Sequence, residues 1–296
     1  MRNHPQYKAY VALIAVYFFW GTTYLAIRMA LESFSPMILL ATRFLLSGGI
    51  MLVGALVSHT TLPKGRELWL TAFYGVLILG GGNGALVFAE EWIPSGLAAL
   101  FITTSPFWMV GIERMLPGGE RLHLPTISGI LIGFLGMLVL VGQEATGHAV
   151  SGKVLSGFVL LQFGCVCWTV GSLLQRRQPT KAHPVISGAV QQLATGLFWL
   201  VPAALMKQPP VNWSWRGVLA LLYLVTFGSI VGYSAYVYAL EKLPVAVVST
   251  YTYVNPIVAV ALGWLVYREP FGLREMAAMT LIFLGVGVVK YYTKRS

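Results

Sequence analysis

The sequence predicts an all-α integral membrane protein with ten transmembrane helices, arranged as an inverted five-plus-five repeat. The first observation is composition: the chain of 296 residues is 57% hydrophobic and only 10% charged, whereas a soluble domain carries about 25% charged residues. The second is that its apolar residues fall into stretches of about 20, the length that crosses a hydrocarbon core as a helix. The third is a repeat that relates the two halves of the chain.

Ten apolar spans account for almost the whole chain. The connections between them are short, so no loop can hold a second domain. The first span contains Trp20 and Tyr24 and is followed by no small-residue cleavage site, so we expect a retained helix and not a signal peptide. The predicted spans are roughly 9–27, 36–57, 68–88, 94–113, 124–142, 154–174, 183–205, 216–238, 244–266 and 273–291.

The positions of Lys and Arg predict that both termini are cytoplasmic. With this orientation the cytoplasmic side carries an excess of positive residues, as the positive-inside rule requires. The net charge of +10 therefore reflects topology and predicts no nucleic-acid partner. Six basic residues lie on the outer side: Arg28, Lys153, Lys207, Arg216, Arg268 and Arg274. Thirteen lie inside: Arg2, Lys8, Lys64, Arg66, Arg114, Arg121, Arg176, Arg177, Lys181, Lys242, Lys290, Lys294 and Arg295.

An internal repeat predicts two units, residues 1–147 and residues 148–296. A shift of 148 places Trp20 on Trp168, Arg28 on Arg176, Pro36 on Pro184 and Gly48 on Gly196. A shift of 150 places Gly82 on Gly232, Glu91 on Glu241, Pro94 on Pro244 and Pro106 on Pro256. Each unit has five spans, an odd number, so the second enters the membrane from the opposite side. Many secondary transporters have this arrangement, with the substrate site near the midplane between the units. A duplication that kept only packing residues is the alternative.

Two repeat-related spans combine hydroxyl side chains with a mid-span proline. They are "STYTYVNP" (249–256) and "ALFITTSP" (99–106). A proline frees a carbonyl about one turn earlier, and in lipid that group needs another partner. We therefore expect both helices to line a polar cavity and to hinge at Pro106 and Pro256. The alternative is that each hydroxyl bonds its own helix. At helical spacing the predicted cavity-facing residues are Ser249, Thr252 and Tyr253, with Thr103 on the corresponding face of the fourth span.

Spans 1, 3, 6 and 8 supply further candidates. The third contains "LGGGNG" (79–84), in which Gly82 is a predicted hinge and Asn83 a predicted cavity residue. Its counterpart in the eighth span places Tyr233 among other polar side chains. Trp20 and Trp168 lie deep in the first and sixth spans, away from the interfaces where aromatic belts lie. They predict two walls of one cavity, with ordinary packing as the alternative.

Charged residues within the spans are scarce. Arg43 lies about two turns into the second span, and Glu90 closes the third, so we expect them to form a gating or structural pair at the outer mouth. A substrate contact for Arg43 is the alternative. No acidic residue or histidine lies at mid-depth, so no carboxylate proton relay is predicted. Cys165 and Cys167 have no neighbouring metal ligand, and no nucleotide or catalytic motif is present, so neither a metal, a cofactor nor an enzyme is predicted.

Three stretches resemble a known family: "FFWGTTYLAIRMALESFSPMILLATRF" (18–44), "GNGALVFAEEWIPSGLAALFITTSPF" (82–107) and "STYTYVNPIVAVALGWLVYREP" (249–270). The chain is similar to the drug/metabolite transporter superfamily, in particular to bacterial EamA-type inner-membrane transporters of the YedA-like branch. The resemblance implies a multi-pass protein of the bacterial cell inner membrane that exports amino acids or other metabolites. It also implies cavity residues at Asn83, Thr103, Thr104, Trp168, Ser249 and Thr252.

Residues and resemblance together predict a secondary exporter of small amphipathic metabolites, amino acids first, that works by alternating access. Its partners are a small-molecule substrate and the lipid bilayer. An exporter of drug-like compounds or other metabolites, such as cationic aromatics or sugars, is the alternative, followed by a channel-like facilitator. Gly129-x-x-x-Gly133 in the fifth span leaves a homodimer open.

Overall fold

The computed structural model describes residues 5–58, 61–117, 124–142, 152–178, 182–243, 245–248, 250–269 and 271–293, and within these ranges all regular secondary structure is helical. The first half contains α1 (Pro5–Leu31), α2 (Pro36–Val57), α3 (Gly65–Gly75), α4 (Gly84–Ala89), α5 (Ser95–Ile102), α6 (Ser105–Met115) and α7 (Leu124–Gly142). The second half contains α8 (Gly152–Arg177), α9 (Pro184–Leu205), α10 (Trp215–Tyr223), α11 (Gly232–Lys242), α12 (Val245–Val248), α13 (Tyr251–Tyr267) and α14 (Leu273–Thr293).

The predicted all-α membrane class is confirmed. In the described part of the chain, seven continuous helical stretches are long and apolar enough to cross a membrane. Two shorter apolar helices, Ile127–Gly136 and Tyr251–Tyr267, lie within two further predicted spans, and the total of ten stays a prediction. The seven stretches are Tyr7–Leu31, Pro36–Val57, Arg66–Ala89, Ser95–Met115, Gly152–Arg177, Pro184–Leu205 and Trp215–Lys242.

Two of these stretches contain a π-helical segment at matching places in the two halves. The first π segment, Val76–Asn83, joins α3 to α4, and the second, Leu224–Val231, joins α10 to α11. The shift that aligns the paired tryptophans also aligns both ends of the two π segments. A π segment inserts an extra residue into a helical turn and re-aims the side chains that follow, and such segments are frequent at functional sites.

Proline sets several helix boundaries. Pro36 and Pro184 stand in the first turns of α2 and α9, where a missing backbone donor costs nothing. Pro106 stands in the first turn of α6, directly after the break that separates α5 from α6. Pro256 lies inside α13 and leaves it continuous. The second helix interruption falls before Tyr251, between α12 and α13.

The packing of α2 against α9 is reciprocal. A β-carbon at Gly48 would lie 2.8 Å from the backbone nitrogen of Leu193, and one at Gly196 would lie 2.7 Å from the backbone nitrogen of Leu45. Each pair becomes the other under the same repeat shift. Because 45 faces 196 and 48 faces 193, the two helices run antiparallel. Equivalent residues meeting in this way are the signature of a local twofold axis.

The packing of α7 against α14 has the same property. A β-carbon at Gly136 would lie 2.8 Å from the carbonyl oxygen of Ala278, and one at Gly285 would lie 2.5 Å from that of Gly129. A repeat shift of 149 places Gly136 on Gly285 and Gly129 on Ala278, so each pair becomes the other. Because 129 faces 285 and 136 faces 278, α7 and α14 also run antiparallel. Two antiparallel helix pairs therefore place small residues where backbones approach closely.

The α2–α9 contact yields a stability prediction with a control on the same helix. We expect Gly48→Ala to lower thermal stability in detergent, because overpacking a close contact costs typically about 1–3 kcal/mol. Gly49→Ala is the control, since nothing lies within 4 Å of its added carbon. That variant keeps only the gain of about 0.5–1 kcal/mol from replacing a mid-helix glycine. Equal melting temperatures for the two variants would contradict the described packing.

Candidate functional site

A cavity of about 80 Å³ lies where the two halves of the chain meet. One water needs roughly 10–15 Å³ on this measure, so the cavity accommodates several waters or a small solute. Its walls come from α1, α2, the first π segment, α4, α5, α6, α8, α9, the second π segment, α11 and α13. Both π segments thus border the same space.

Four aromatic side chains pack together at the cavity: Trp20, Trp168 and Tyr251 line it, and Tyr236 packs against both tryptophans. The rings of Trp20 and Trp168 meet edge to face with centroids 5.6 Å apart, and Tyr236 and Tyr251 lie 4.9 Å and 5.2 Å from Trp20. This cluster, Trp20, Trp168, Tyr236 and Tyr251, is called the aromatic cluster below. Such geometry favours an apolar or aromatic group of a ligand, and it presents ring faces to a cation.

Each of the two tryptophan side chains packs against a glycine from the other half of the chain. A β-carbon at Gly82 would lie 3.0 Å from the Trp168 ring, and one at Gly232 would lie 2.6 Å from Nε1 of Trp20. The sequence repeat relates Gly82 to Gly232 by a shift of 150 and the two tryptophans by a shift of 148. The Trp20 indole N–H donates to the carbonyl of Gly228 at 3.0 Å, so its polar atom is satisfied by the second π segment.

A buried cation forms the polar wall. Arg43 of α2 is 4% exposed; its Nε donates to Ser229 Oγ at 2.8 Å and its Nη1 donates to Asn83 Oδ1 at 3.2 Å. The two neutral acceptors belong to the two π segments. Among the described residues no carboxylate forms an ion pair with Arg43. A guanidinium in this position retains N–H groups that suit a planar anion such as a carboxylate.

Buried amides complete the polar network, and the sequence interpretation missed them. Gln192 accepts from Ser47 and donates to the carbonyl of Ser229 at 3.2 Å. Gln191 accepts from the Tyr233 hydroxyl. Gln162 accepts from Trp108 at 2.8 Å. Amides within apolar spans were the available signal, because each must find partners in a hydrocarbon environment.

Several predicted site residues do meet at the cavity. Its lining includes Trp20, Asn83, Trp168 and Tyr233, together with Gly82 and Arg43. The structure therefore brings together residues from the first, second, third, sixth and eighth predicted spans. Their roles in binding a substrate, and the hinge roles of Gly82, Pro106 and Pro256, stay predictions.

The described part of the predicted face of the ninth span does not line the cavity. Tyr251 and Asn255 of α13 line the cavity, whereas Thr252 is buried outside the lining and Tyr253 packs on Phe283 of α14, with ring centroids 6.0 Å apart. Ser249 lies outside the described residues. Within the continuous helix α13, Tyr251 and Asn255 are one turn apart and share the face that meets the cavity, whereas Thr252 and Tyr253 lie on other faces.

The predicted face of the fourth span is displaced in the same way. Thr103 is buried and donates to the carbonyl of Leu100. Thr104 donates to the carbonyl of Phe101 at 2.8 Å and to Gln162 Oε1 at 2.9 Å. Neither hydroxyl lines the cavity, which is bordered instead by Ile102 and Ser105. For Thr103 the alternative, a bond to its own helix, describes the structure, whereas Thr104 also bonds Gln162 of α8.

The predicted pairing of Arg43 with Glu90 is also wrong. Arg43 bonds Ser229 and Asn83, while Glu90 lies beyond α4, 3% exposed, and neither of its carboxyl oxygens is hydrogen-bonded within the described residues. The ion pair near Glu90 joins Arg28 to Glu269 at 3.6 Å. The sequence did not indicate this pair, because Glu269 is far from Arg28 along the chain and contacts α1 only in the folded protein.

Comparison with known proteins places this architecture in a family. The EamA-like transporter family model matches the chain twice, over residues 7–142 and 155–291. The chain is 33% identical to the "Uncharacterized inner membrane transporter YedA" of Escherichia coli K12, with 98% of this chain and 92% of that protein covered. It is 25% identical to a "Probable amino-acid metabolite efflux pump" of Salmonella typhimurium, with 94% and 92% covered.

A protein of known crystal structure shares the fold. It superposes with a TM-score of 0.70 at 22% identity and covers 97% of this chain and 98% of its own. The starts of the two family matches are related by the shift found between the π segments and between the paired tryptophans. From the family match over both halves, the chain belongs to the EamA-like transporter family and is a membrane transporter.

Proposed function

We propose that this transporter exports small amphipathic metabolites, amino acids first among them, across the bacterial inner membrane. One observation carries the proposal: the residue with a buried guanidinium, Arg43, and three members of the aromatic cluster, Trp20, Trp168 and Tyr251, line one small cavity. The similarity to a protein named as a probable amino-acid metabolite efflux pump supports the same class of substrate.

The cavity chemistry suits a zwitterion with an apolar side chain. The substrate carboxylate would take the remaining N–H groups of Arg43, since guanidinium–carboxylate contacts are planar and can be bidentate. The ammonium group would face the tyrosine and tryptophan rings, which attract cations. The substrate side chain would then pack against the indoles of Trp20 and Trp168. Each part of an amino acid thus has a counterpart in the walls.

Alternating access between two inverted five-helix units, residues 1–147 and 148–296, is the proposed mechanism. The reciprocal antiparallel contacts of α2 with α9 and of α7 with α14 support a twofold relation between the units. An exchange of conformations between related halves opens the cavity to each side in turn. Ten membrane-spanning helices with both termini cytoplasmic complete this topology. The π segments and the breaks before α6 and α13 are the places where the helices can bend.

Export of drug-like aromatic compounds is the second candidate, because the aromatic cluster alone would hold such a ligand. The Arg43 cation, which has no ion-pair partner in the described part of the chain, disfavours cationic members of that class and favours anions and zwitterions. A channel would need a polar path through the whole bundle, whereas the polar contacts within the described residues form separate groups, one around Arg43 and another around Glu269.

Counterflow in proteoliposomes tests the proposal. Vesicles containing the purified protein are loaded with one unlabelled L-amino acid and diluted into the radiolabelled form, for each proteinogenic amino acid in turn. We expect saturable accumulation for at least one of them above protein-free vesicles. Saturable counterflow of neutral or anionic aromatic compounds, with none for any amino acid, would support the second candidate and contradict the first.

A further inference from the structure

A carboxyl group without a hydrogen-bond partner in the described part of the chain is buried one helical turn beyond Leu86, which lines the cavity. Glu90 follows α4 in the connection to α5; it is 3% exposed, and both of its side-chain oxygens lack a partner there. An isolated carboxylate in a dry environment is so costly that the group takes up a proton instead. The geometry is therefore that of a neutral carboxylic acid.

A second buried carboxyl group nearby has the opposite environment. Glu269 follows α13 and accepts from the backbone N–H of Ser95 at 3.0 Å, from Ser95 Oγ at 2.8 Å and from the backbone N–H of Gly96 at 2.9 Å. Arg28 of α1 completes the set at 3.6 Å. Backbone and hydroxyl donors and a guanidinium therefore surround the Glu269 carboxyl group, in contrast to that of Glu90.

The Arg28 guanidinium pairs with Glu269 and acts on Glu90 through its charge alone. Arg28 also donates to the carbonyl of Ile93 at 3.3 Å and lies 5.1 Å from the centre of the Tyr267 ring. Among the described residues, the groups whose charge acts on Glu90 are Glu269 and Arg28, and the Tyr24 hydroxyl lies within the electrostatic range of Glu90. Burial, assisted by the charge of Glu269, raises the pKa of Glu90 well above the ordinary glutamate value, and Arg28 opposes that shift only in part.

We propose that Glu90 is a proton-binding site coupled to the transport cycle, with Arg28 as a counter-ion shared between Glu90 and Glu269. The inference rests on the proposed function, a transport cycle, and names its coupling ion as a proton. Tyr24 provides the connection to the substrate site, because it lines the cavity and lies near Glu90.

The proposed step is a proton exchange that alters an interhelical contact. When the Glu90 carboxyl releases its proton to water, the resulting carboxylate needs a donor, and Arg28 is the cation whose charge already acts on it. Moving Arg28 toward Glu90 weakens its ion pair with Glu269. That ion pair connects α1 to the segment after α13 and, through Ser95 and Gly96, to α5. Proton binding then restores the neutral acid and the original pair, so protonation favours the conformation described here.

Infrared titration tests the site without any substrate. The purified protein is reconstituted, and the carbonyl stretch of a protonated carboxylic acid is followed as pH rises, in the wild type and in Glu90→Gln. We expect a band in the wild type that persists above the ordinary pKa range of glutamate and is absent from Glu90→Gln. Glu91→Gln is the matched control, since Glu91 is the adjacent carboxyl and is exposed. The inference is overturned if the band survives in Glu90→Gln or disappears in Glu91→Gln.

Proton movement tests the coupling. Proteoliposomes with an entrapped pH-sensitive dye receive a mixture of the proteinogenic L-amino acids, and internal pH and amino-acid content are followed together. We expect internal pH to change with amino-acid movement in the wild type and to stay constant in Glu90→Gln. Amino-acid movement without a pH change in the wild type refutes the coupling and leaves the proposed substrate intact. A band assigned to Glu90 in vesicles that move no amino acid supports the proton site and refutes the proposed substrate.

Discussion

Replacing Arg43 with glutamine is expected to lower kcat/KM for an amino acid by roughly 10- to 150-fold. The estimate takes about 1.5–3 kcal/mol for a hydrogen bond to a charged group and about 1.4 kcal/mol for each factor of ten. Glutamine can still bond Ser229 or Asn83, so the network between the π segments keeps one of its contacts. The substrate carboxylate would lose the guanidinium, which has no carboxylate partner of its own among the described residues. Initial rates of uptake into proteoliposomes give the ratio.

Two controls separate a substrate contact from a structural role. Ser229→Ala removes one acceptor of Arg43 but keeps the cation, so we expect a much smaller loss of transport. The carboxamide analogue of the same amino acid lacks the anion, so its transport, where measurable, should respond weakly to Arg43→Gln. If the amino acid and its carboxamide lose the same fraction of their transport rate, Arg43 acts through the fold and the proposed contact is wrong. Arg43→Lys should recover only part of the rate, because an ammonium cannot make a bidentate contact.

Much of the helical architecture could be predicted from the sequence. Long apolar spans have no alternative structure in lipid, since every backbone polar group must be satisfied internally. The start of α2 at Pro36 and of α9 at Pro184 follows from proline itself, as does the break before Pro106. The deep positions of Trp20 and Trp168 in repeat-related spans also predicted that both lie at one site. Repeat-related residues on the inner faces of the helices converge near a twofold axis.

The faces of interrupted helices could not be predicted from spacing. Helical spacing groups Thr252, Tyr253 and Pro256 on one side of the ninth span, but it does not say which side of α13 meets the cavity, and Tyr251 and Asn255 form that side. The π segments place Asn83, which was predicted to line the cavity, and Ser229, which was not, where both meet Arg43.

The partners of the buried charged residues could not be predicted from the sequence either. Glu90 and Arg43 are close in predicted depth, and this proximity favoured a pair between them. The fold instead puts Glu90 within the electrostatic range of Glu269, which lies in the other half of the chain, and it gives Arg43 neutral acceptors. Depth along a span says nothing about which helices are neighbours, so the pairing depends on the folded bundle.

Truncating Trp168 to alanine is the second large effect that we expect. Trp168 packs on Gly82 and meets Trp20 edge to face at 5.6 Å, so it forms part of the wall against which a substrate side chain would lie. Burying an apolar side chain contributes about 1.5–3 kcal/mol. Losing that surface should weaken the apparent affinity for aromatic amino acids by roughly 10- to 150-fold. Alanine as substrate should lose less, because it buries less area.

The control for this prediction is another tryptophan of the same bundle. Trp264 of α13 is 60% exposed and lies outside the cavity lining, so Trp264→Ala should leave affinity unchanged. Trp168→Phe keeps an aromatic ring and should recover part of the loss, which a variant that merely fails to fold would not do. A double-mutant cycle with Trp20→Ala adds a sharper criterion. Because the two indoles are in contact and would hold one ligand, their effects should be less than additive. Fully additive losses, or equal losses for alanine and for aromatic amino acids, would mean that the aromatic cluster supports the helices and does not receive the substrate side chain.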